Sequence, residues 1–238
     1  MKKRIELLMA ICLVISAFVL AKQGAVLVQS DQANDKPEKT GTGSKTCIVI
    51  DAGHGGNDPG KVGVNQALEK DFNLTLALKL RDSLTDQGLE IILTRDTDAG
   101  LHTEGAANQK VSDMQNRCKI ITDANPVFTV SLHQNSYTTS DVKGAQVFYY
   151  SQSAEGQKLA SCIQESLIAN VDPENKRAAK ANDSYYLLKK TPTPTVIVEC
   201  GFLSNPTEAD LLLAEDYQDS LVDAISVGIM TYLEGSAP

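Results

Sequence analysis

Apolar positions along the chain come in two kinds of run, short continuous ones and longer ones that recur every three or four residues. The short ones read as buried strands and the spaced ones as amphipathic helices. "IVID" at Ile48–Asp51 opens the series as a strand. Phe72, Leu76, Leu80 and Leu84 predict a helix over 71–87, closed by Gly88 as a C-terminal cap. "EIILTR" (90–95) is the next strand, and the polar residues 96–109 read as a loop. Val111, Met114, Cys118 and Ile121 share one face of a helix over 111–123. "VFTVSL" (127–132) is a strand that ends on His133, and "GAQVFYY" (144–150) is another. A helix follows over 154–169. "TVIVE" (195–199), after Pro192 and Pro194, is a strand. Asn205 with Pro206 at the first helical position starts a short helix, and a long amphipathic helix over 217–235 closes the chain.

Strands alternating with helices predict an α/β fold, a three-layer sandwich with a mainly parallel twisted sheet flanked by helices. Ligands of such sheets sit beyond the carboxyl ends of strands. That rule picks out His54, His133 and Glu199, which follow or end three strands. Glu69 opens the first helix, about one loop away from His54.

The N-terminus has a different character. "MKKR" precedes the apolar run Leu7–Ala21, so residues 1–28 read as a signal peptide or a membrane anchor. Residues 29–45 are polar, with Pro, Gly and Ser, and read as a flexible linker. Residues 46–238 then form one exported domain, tied to a membrane only through the leader. A net charge of −8 argues against nucleic acid, whose binding rests on Lys and Arg neutralising phosphates. With no Trp and few aromatics, a stacking platform is disfavoured. Cys47, Cys118, Cys162 and Cys200 permit disulfides in an exported chain. They lack CxxC spacing and sit among apolar residues, so they read as buried free thiols.

Two histidines and two carboxylates at one sheet edge suggest a metal site. A catalytic zinc site uses three protein ligands of the His and carboxylate type and leaves one position open. His54, Glu69 and His133 suit the three, and Glu199 suits the unliganded carboxylate that handles a proton. There is no HExxH pair. Each residue alone also has an ordinary structural reading; Glu69, for example, suits the dipole at a helix start. The glycines around His54 allow a sharp turn and a close approach. They equally match a phosphate-cradling loop, although no Lys-Ser/Thr follows to make a P-loop. His102 reads as a solvated loop residue, and Arg95 and Arg117 as members of structural ion pairs.

"IVIDAGHGGNDPG", "LEKDFNL", "SLHQNS" and "VIVECGFLSNPTEADLL", in that order, resemble the zinc-dependent N-acetylmuramoyl-L-alanine amidases of the amidase 3 type. The likeness runs from about Cys47 to Glu234. The one-domain layout, the apolar leader and "GAQVFYY" most resemble the germination-specific branch of endospore-forming bacteria, which acts on spore cortex. The resemblance implies that zinc is held by His54, Glu69 and His133, that Glu199 is the catalytic carboxylate, and that Asn135 supports the site or touches substrate. It implies a peptidoglycan substrate, cut at the amide between N-acetylmuramic acid and L-alanine, and allows for an accessory activator protein. Gln134, Ser136 and Cys200 depart mildly from the family pattern and remove no ligand. The alternatives are a zinc peptidase or deacetylase of the cell wall, or a non-catalytic wall-binding protein on the same fold.

Overall fold

A computed structural model describes residues 45–235; the leader and all but the last residue of the linker expected from the sequence lie outside them. The elements in chain order are β1 (Cys47–Ala52), α1 (Glu69–Asp86), β2 (Glu90–Leu93), α2 (Gln109–Ala124), β3 (Phe128–Asn135) and β4 (Gln146–Tyr149). Then come α3 (Ala154–Asn170), β5 (Lys180–Ala181), α4 (Tyr186–Lys190), β6 (Thr195–Phe202), α5 (Pro206–Leu211) and α6 (Glu215–Leu233). They form one six-stranded sheet in the order β2-β1-β3-β6-β4-β5. The first four strands in that order are parallel to one another, β4 runs antiparallel to β6, and β5 runs parallel to β4. Parallel neighbours need a long crossover, usually helical. Residues 136–145 supply no helix, and β4 enters the sheet in the opposite direction. The mainly parallel α/β sandwich expected from the sequence is what is observed.

Strand alternation sorts the residues into two faces. Ile48, Ile50, Ala52, Phe128, Val130, Leu132, Val196, Val198 and Cys200 are all fully buried in the larger core, with α1, α3 and α6 packed over them. Helix α1 contributes Phe72, Leu76, Leu80 and Leu84 to that core. Truncating one of these leucines to Ala would cost about 2–5 kcal/mol. The alternate positions Val49, Asp51, Thr129, Ser131, His133, Ile197 and Glu199 face the other side. There α2 and α4 form a thinner layer, in which Val49, Ile121 and Leu187 make a small core.

Several expectations need correction. Strands β3 and β6 run past His133 and Glu199, because their ladder continues through the His133–Glu199 pair to Asn135–Phe202, with an irregularity between. Both residues therefore lie within strands rather than beyond them. Val111 is exposed, since the first turn of α2 borders a cleft instead of packing on the sheet. All four described cysteines are free, but Cys47 and Cys118 are only partly covered. The thinner layer leaves Cys118 half-buried against Val49 and Ile121. Strand β5 and helix α4 have no counterpart in the sequence reading. Among the described residues, no helix is long and apolar enough to cross a membrane.

Candidate metal centre

The loop after β1 carries His54, and its backbone is held before its side chain is. Arg117 donates from Nη1 to the Ala52 carbonyl at 2.7 Å and from Nη2 to the His54 carbonyl at 2.6 Å. Arg95 donates to the carbonyls of Ala52 and Gly53 at 2.9 and 3.0 Å. Three successive carbonyls are thus drawn onto guanidinium forks, and His54 takes a left-handed φ of 62°. Arg117 also pairs with Asp51 and Asp113, as expected of a structural ion pair. Arg95 does not: its donors go to backbone carbonyls, including that of Lys70, because the loop folds around it. Asp51 is fully buried. Burial alone would raise its pKa, but Arg117, Ser131 and Thr94 hold it down at about 2.

Two glycines in this region are required by space. A Cβ on Gly53 would stand 2.3 Å from Cε1 of His133. A Cβ on Gly60 would stand 2.5 Å from Oε2 of Glu69 and 2.8 Å from Cδ2 of His54, at a φ of +68°. Each therefore makes room for one or more of the site's side chains.

His54, Glu69 and His133 converge, with one candidate ligand atom of each lying within 4.8 Å of the others. Nε2 of His54 is 3.2 Å from Oε1 of Glu69, and Nδ1 of His133 is 2.9 Å from the same oxygen. Two ligands each at about 2.0–2.1 Å from a tetrahedral zinc stand roughly 3.3 Å apart. The observed separations fit that edge. The tautomer fits as well. Nδ1 of His54 lies 3.0 Å from Oδ2 of Asp58, and the tautomer that carries its proton there turns the Nε2 lone pair toward Glu69. A lone pair set against a carboxylate oxygen calls for a cation between them. Glu69 is buried, which would raise its pKa, yet His133 and His54 hold its carboxyl far below the usual range. Its Oε2 accepts from the Lys61 N–H at 2.7 Å, and Oε1 from the Gln134 N–H at 3.1 Å.

Glu199 is the registered neighbour of His133 on β6. It is 7% exposed and faces the same cleft. Burial pushes its pKa up, and Glu69 pushes the same way, against opposing terms from His133, Tyr185 and His54. Oε1 accepts from the Tyr185 hydroxyl at 3.2 Å, while Oε2 is buried with no partner among the described residues. The cleft has a volume of about 390 Å³. Its walls include Lys110, Met114 and Arg117 of α2 and Tyr185, Tyr186 and Leu187 around α4.

Of the four residues picked out from the sequence, His54, His133 and Glu199 line one cleft, and Glu69 lies buried against the two histidines. His102, expected in solvent, is half-buried and lines that cleft because the 96–108 loop folds back over the glycine turn. Asn135 lies outside the cleft lining, and its side chain accepts from the Ser136 N–H. Tyr185 was passed over by the sequence reading. No histidine, carboxylate or glycine pattern marks it, and the only available signal was its place four residues after a strand-like pair and just ahead of "LLKK".

The sheet and the His–Glu–His cluster together define an α/β domain with a candidate metal-binding cleft. Residues 48–231 match the N-acetylmuramoyl-L-alanine amidase family, and the chain belongs to it. It is similar to the germination-specific N-acetylmuramoyl-L-alanine amidase of Bacillus subtilis (strain 168), with 39% identity over 192 residues, 79% of this chain and 80% of that one. Its fold is similar to that of the CwlD amidase from Clostridioides difficile, solved in complex with the GerS lipoprotein. The TM-score is 0.78 and the identity 41%, over 81% of this chain and 100% of that chain. AmiC2 of Nostoc punctiforme is a further structural relative, with TM-score 0.70 and 31% identity over 80% of this chain and 98% of that one.

Proposed function

We propose that the protein hydrolyses, with zinc, the amide between N-acetylmuramic acid and L-alanine in peptidoglycan, in spore cortex synthesis or germination. The observation that carries this reading is the convergence of His54, Glu69 and His133, with Glu199 registered beside His133 in the sheet. His54, Glu69 and His133 hold the metal. When bound, zinc supplies a Lewis acid that lowers the pKa of a water toward 7 and polarises the scissile carbonyl. Glu199 takes the proton of the attacking water at its free Oε2 and delivers it to the leaving nitrogen of L-alanine. Its burial supports this use, because a pKa raised by burial makes the carboxylate a better proton acceptor. The product is glycan freed of its stem peptide.

The cortex role is supported by the similarity to a germination-specific amidase. The structural relative solved with a lipoprotein supports an accessory protein for this chain as well. Residues 1–28 serve as signal peptide or anchor, 29–45 as linker and 46–238 as the catalytic domain, so the enzyme works outside the cytoplasm.

The test is incubation of the zinc-loaded protein with purified peptidoglycan and mass spectrometry of the released fragments. Free stem peptides beginning with L-alanine, absent with Glu199→Gln, are expected. Cuts inside the peptide, or loss of acetyl groups alone, would move the assignment to a peptidase or a deacetylase.

A further inference from the structure

The proton-carrying role of Glu199 leaves open what aims its carboxylate. A carboxylate at the end of three rotatable bonds is useful only if the correct oxygen faces the reacting atoms. In this site the two oxygens are unequal. Oε1 accepts from the Tyr185 hydroxyl at 3.2 Å, and Oε2 is buried and has no partner among the described residues. Buried polar atoms are nearly always hydrogen-bonded, so an orphan on a residue that lines the cleft marks a place kept for a substrate or water.

Tyr185 is itself firmly held. Its ring packs edge-on against Phe148 of β4, with centroids 5.6 Å apart. Its N–H donates to Oδ1 of Asn182 at 3.1 Å, and the same oxygen accepts from the N–H and hydroxyl of Ser184 at 2.8 and 2.7 Å. The Asn182 N–H is tied to the Tyr149 carbonyl at 2.8 Å, and Asp183 accepts from the Ser151 N–H at 3.2 Å. The turn between β5 and α4 is therefore a braced arm anchored on β4, and its tip is the Tyr185 hydroxyl.

From this geometry we infer that Tyr185 is a positioning residue for the reaction. It pins Oε1 of Glu199 so that Oε2 alone faces the reacting water. Tyr185 acts through Glu199 and does not itself touch the scissile bond. Burial, then the Glu199 charge, keeps the phenol protonated well above its ordinary range, so the hydroxyl stays a donor at working pH. The inference rests on the proposed function of Glu199, and it extends the site by a residue in the turn between a two-residue strand and a five-residue helix.

Tyr185→Phe keeps the ring against Phe148 and removes only the hydroxyl. A hydrogen bond to a charged group of this kind corresponds to roughly ten- to hundredfold in rate. In the full-length, zinc-loaded protein, kcat for stem-peptide release should fall by about that factor, with KM changed less than about twofold. In a Glu199→Gln background the same change should cost nothing further, because the group it orients is gone. An unchanged kcat, or an equal fall in both backgrounds, overturns the inference. Crystal structures of the wild type and Tyr185→Phe read the geometry without the reaction. A single Glu199 orientation in the wild type and a rotated or split one in the variant supports the role, and the same orientation in both overturns it. These structures keep the outcome decisive even if the wild type releases no stem peptides, a result that would sink the amidase assignment alone.

Discussion

Replacing Gly53 by Ala tests the metal centre through space alone. Gly53 has no positive φ, so the substitution carries no left-handed strain, and the three atoms nearest the added methyl all belong to the His133 ring. The three nearest ring atoms stand at 2.3, 2.4 and 2.8 Å, against about 3.5–4.0 Å for carbon atoms in contact. The ring must therefore retreat by about an ångström. Functional constellations need placement within about 0.5 Å, so His133 leaves the shared ligand geometry with His54 and Glu69. Zinc affinity should drop by at least a hundredfold, which is about 2.7 kcal/mol. Overpacking should add about 1–3 kcal/mol of lost stability in the metal-free protein. For a domain of this size that lowers Tm by roughly 2–12 °C. The assay is competition with a zinc-binding dye, together with thermal melting with and without excess chelator. Wild type should lose roughly 5–10 °C on chelation, if zinc is present at about a hundred times Kd, and Gly53→Ala should lose little. Gly88→Ala is the matched control. It sits at φ +89° with nothing within 4 Å, so it should cost about 1–2 kcal/mol of strain and leave zinc affinity unchanged. Wild-type zinc affinity in Gly53→Ala would refute the assigned ligand set.

Glu199→Gln should retain zinc and lose about 10²–10⁴-fold in stem-peptide release, read by mass spectrometry of the fragments. Arg117→Met removes the partner of buried Asp51, as well as two carbonyl clamps. It should destabilise the fold by about 3–5 kcal/mol in urea titrations. Asp51, whose folded pKa is depressed to about 2, contributes stability that is present above its unfolded pKa, near 3.9, and is lost as pH falls toward 2. Asp51→Asn should flatten that part of the acid unfolding curve, and an unchanged slope between pH 4 and 2 would count against the pairing. The free cysteines predict that reductant leaves Tm unchanged and that a thiol reagent finds Cys47, Cys118, Cys162 and Cys200 reduced after denaturation.

The sheet was readable because its central strands contain short continuous apolar runs, "IVI" and "VIV" among them, that stand out without alternation. His54 and His133 stood out because each interrupts or closes such a run. What the pattern did not contain was strand length. His133 and Glu199 look terminal in the sequence, since polarity returns there, yet the backbone ladder continues beneath them to Phe202. Arg95 and Arg117 look alike in sequence and differ in what they neutralise: Arg95 meets carbonyl dipoles, and Arg117 meets carbonyl dipoles and two carboxylates. That distinction depends on contacts 43 and 66 residues away in the chain. Tyr185 was invisible for a related reason. Its partner Glu199 is close in sequence, but the Asn182 turn that aims it has no periodicity, and β5 is too short to show a pattern.

The registered pair His133–Glu199 has a consequence for how such enzymes diversify. The spacing between the metal side and the proton-handling side is fixed by the hydrogen-bond pitch of two neighbouring strands, about 4.7–4.9 Å. No loop sets that distance. The 96–108 loop, which borders the cleft and carries neither member of that pair, can therefore be lengthened, shortened or exchanged between relatives without retuning the chemistry. Substrate range is in this sense a detachable property of the fold, and grafting the 96–108 loop from one member onto another is the natural way to redirect which wall polymer is cut.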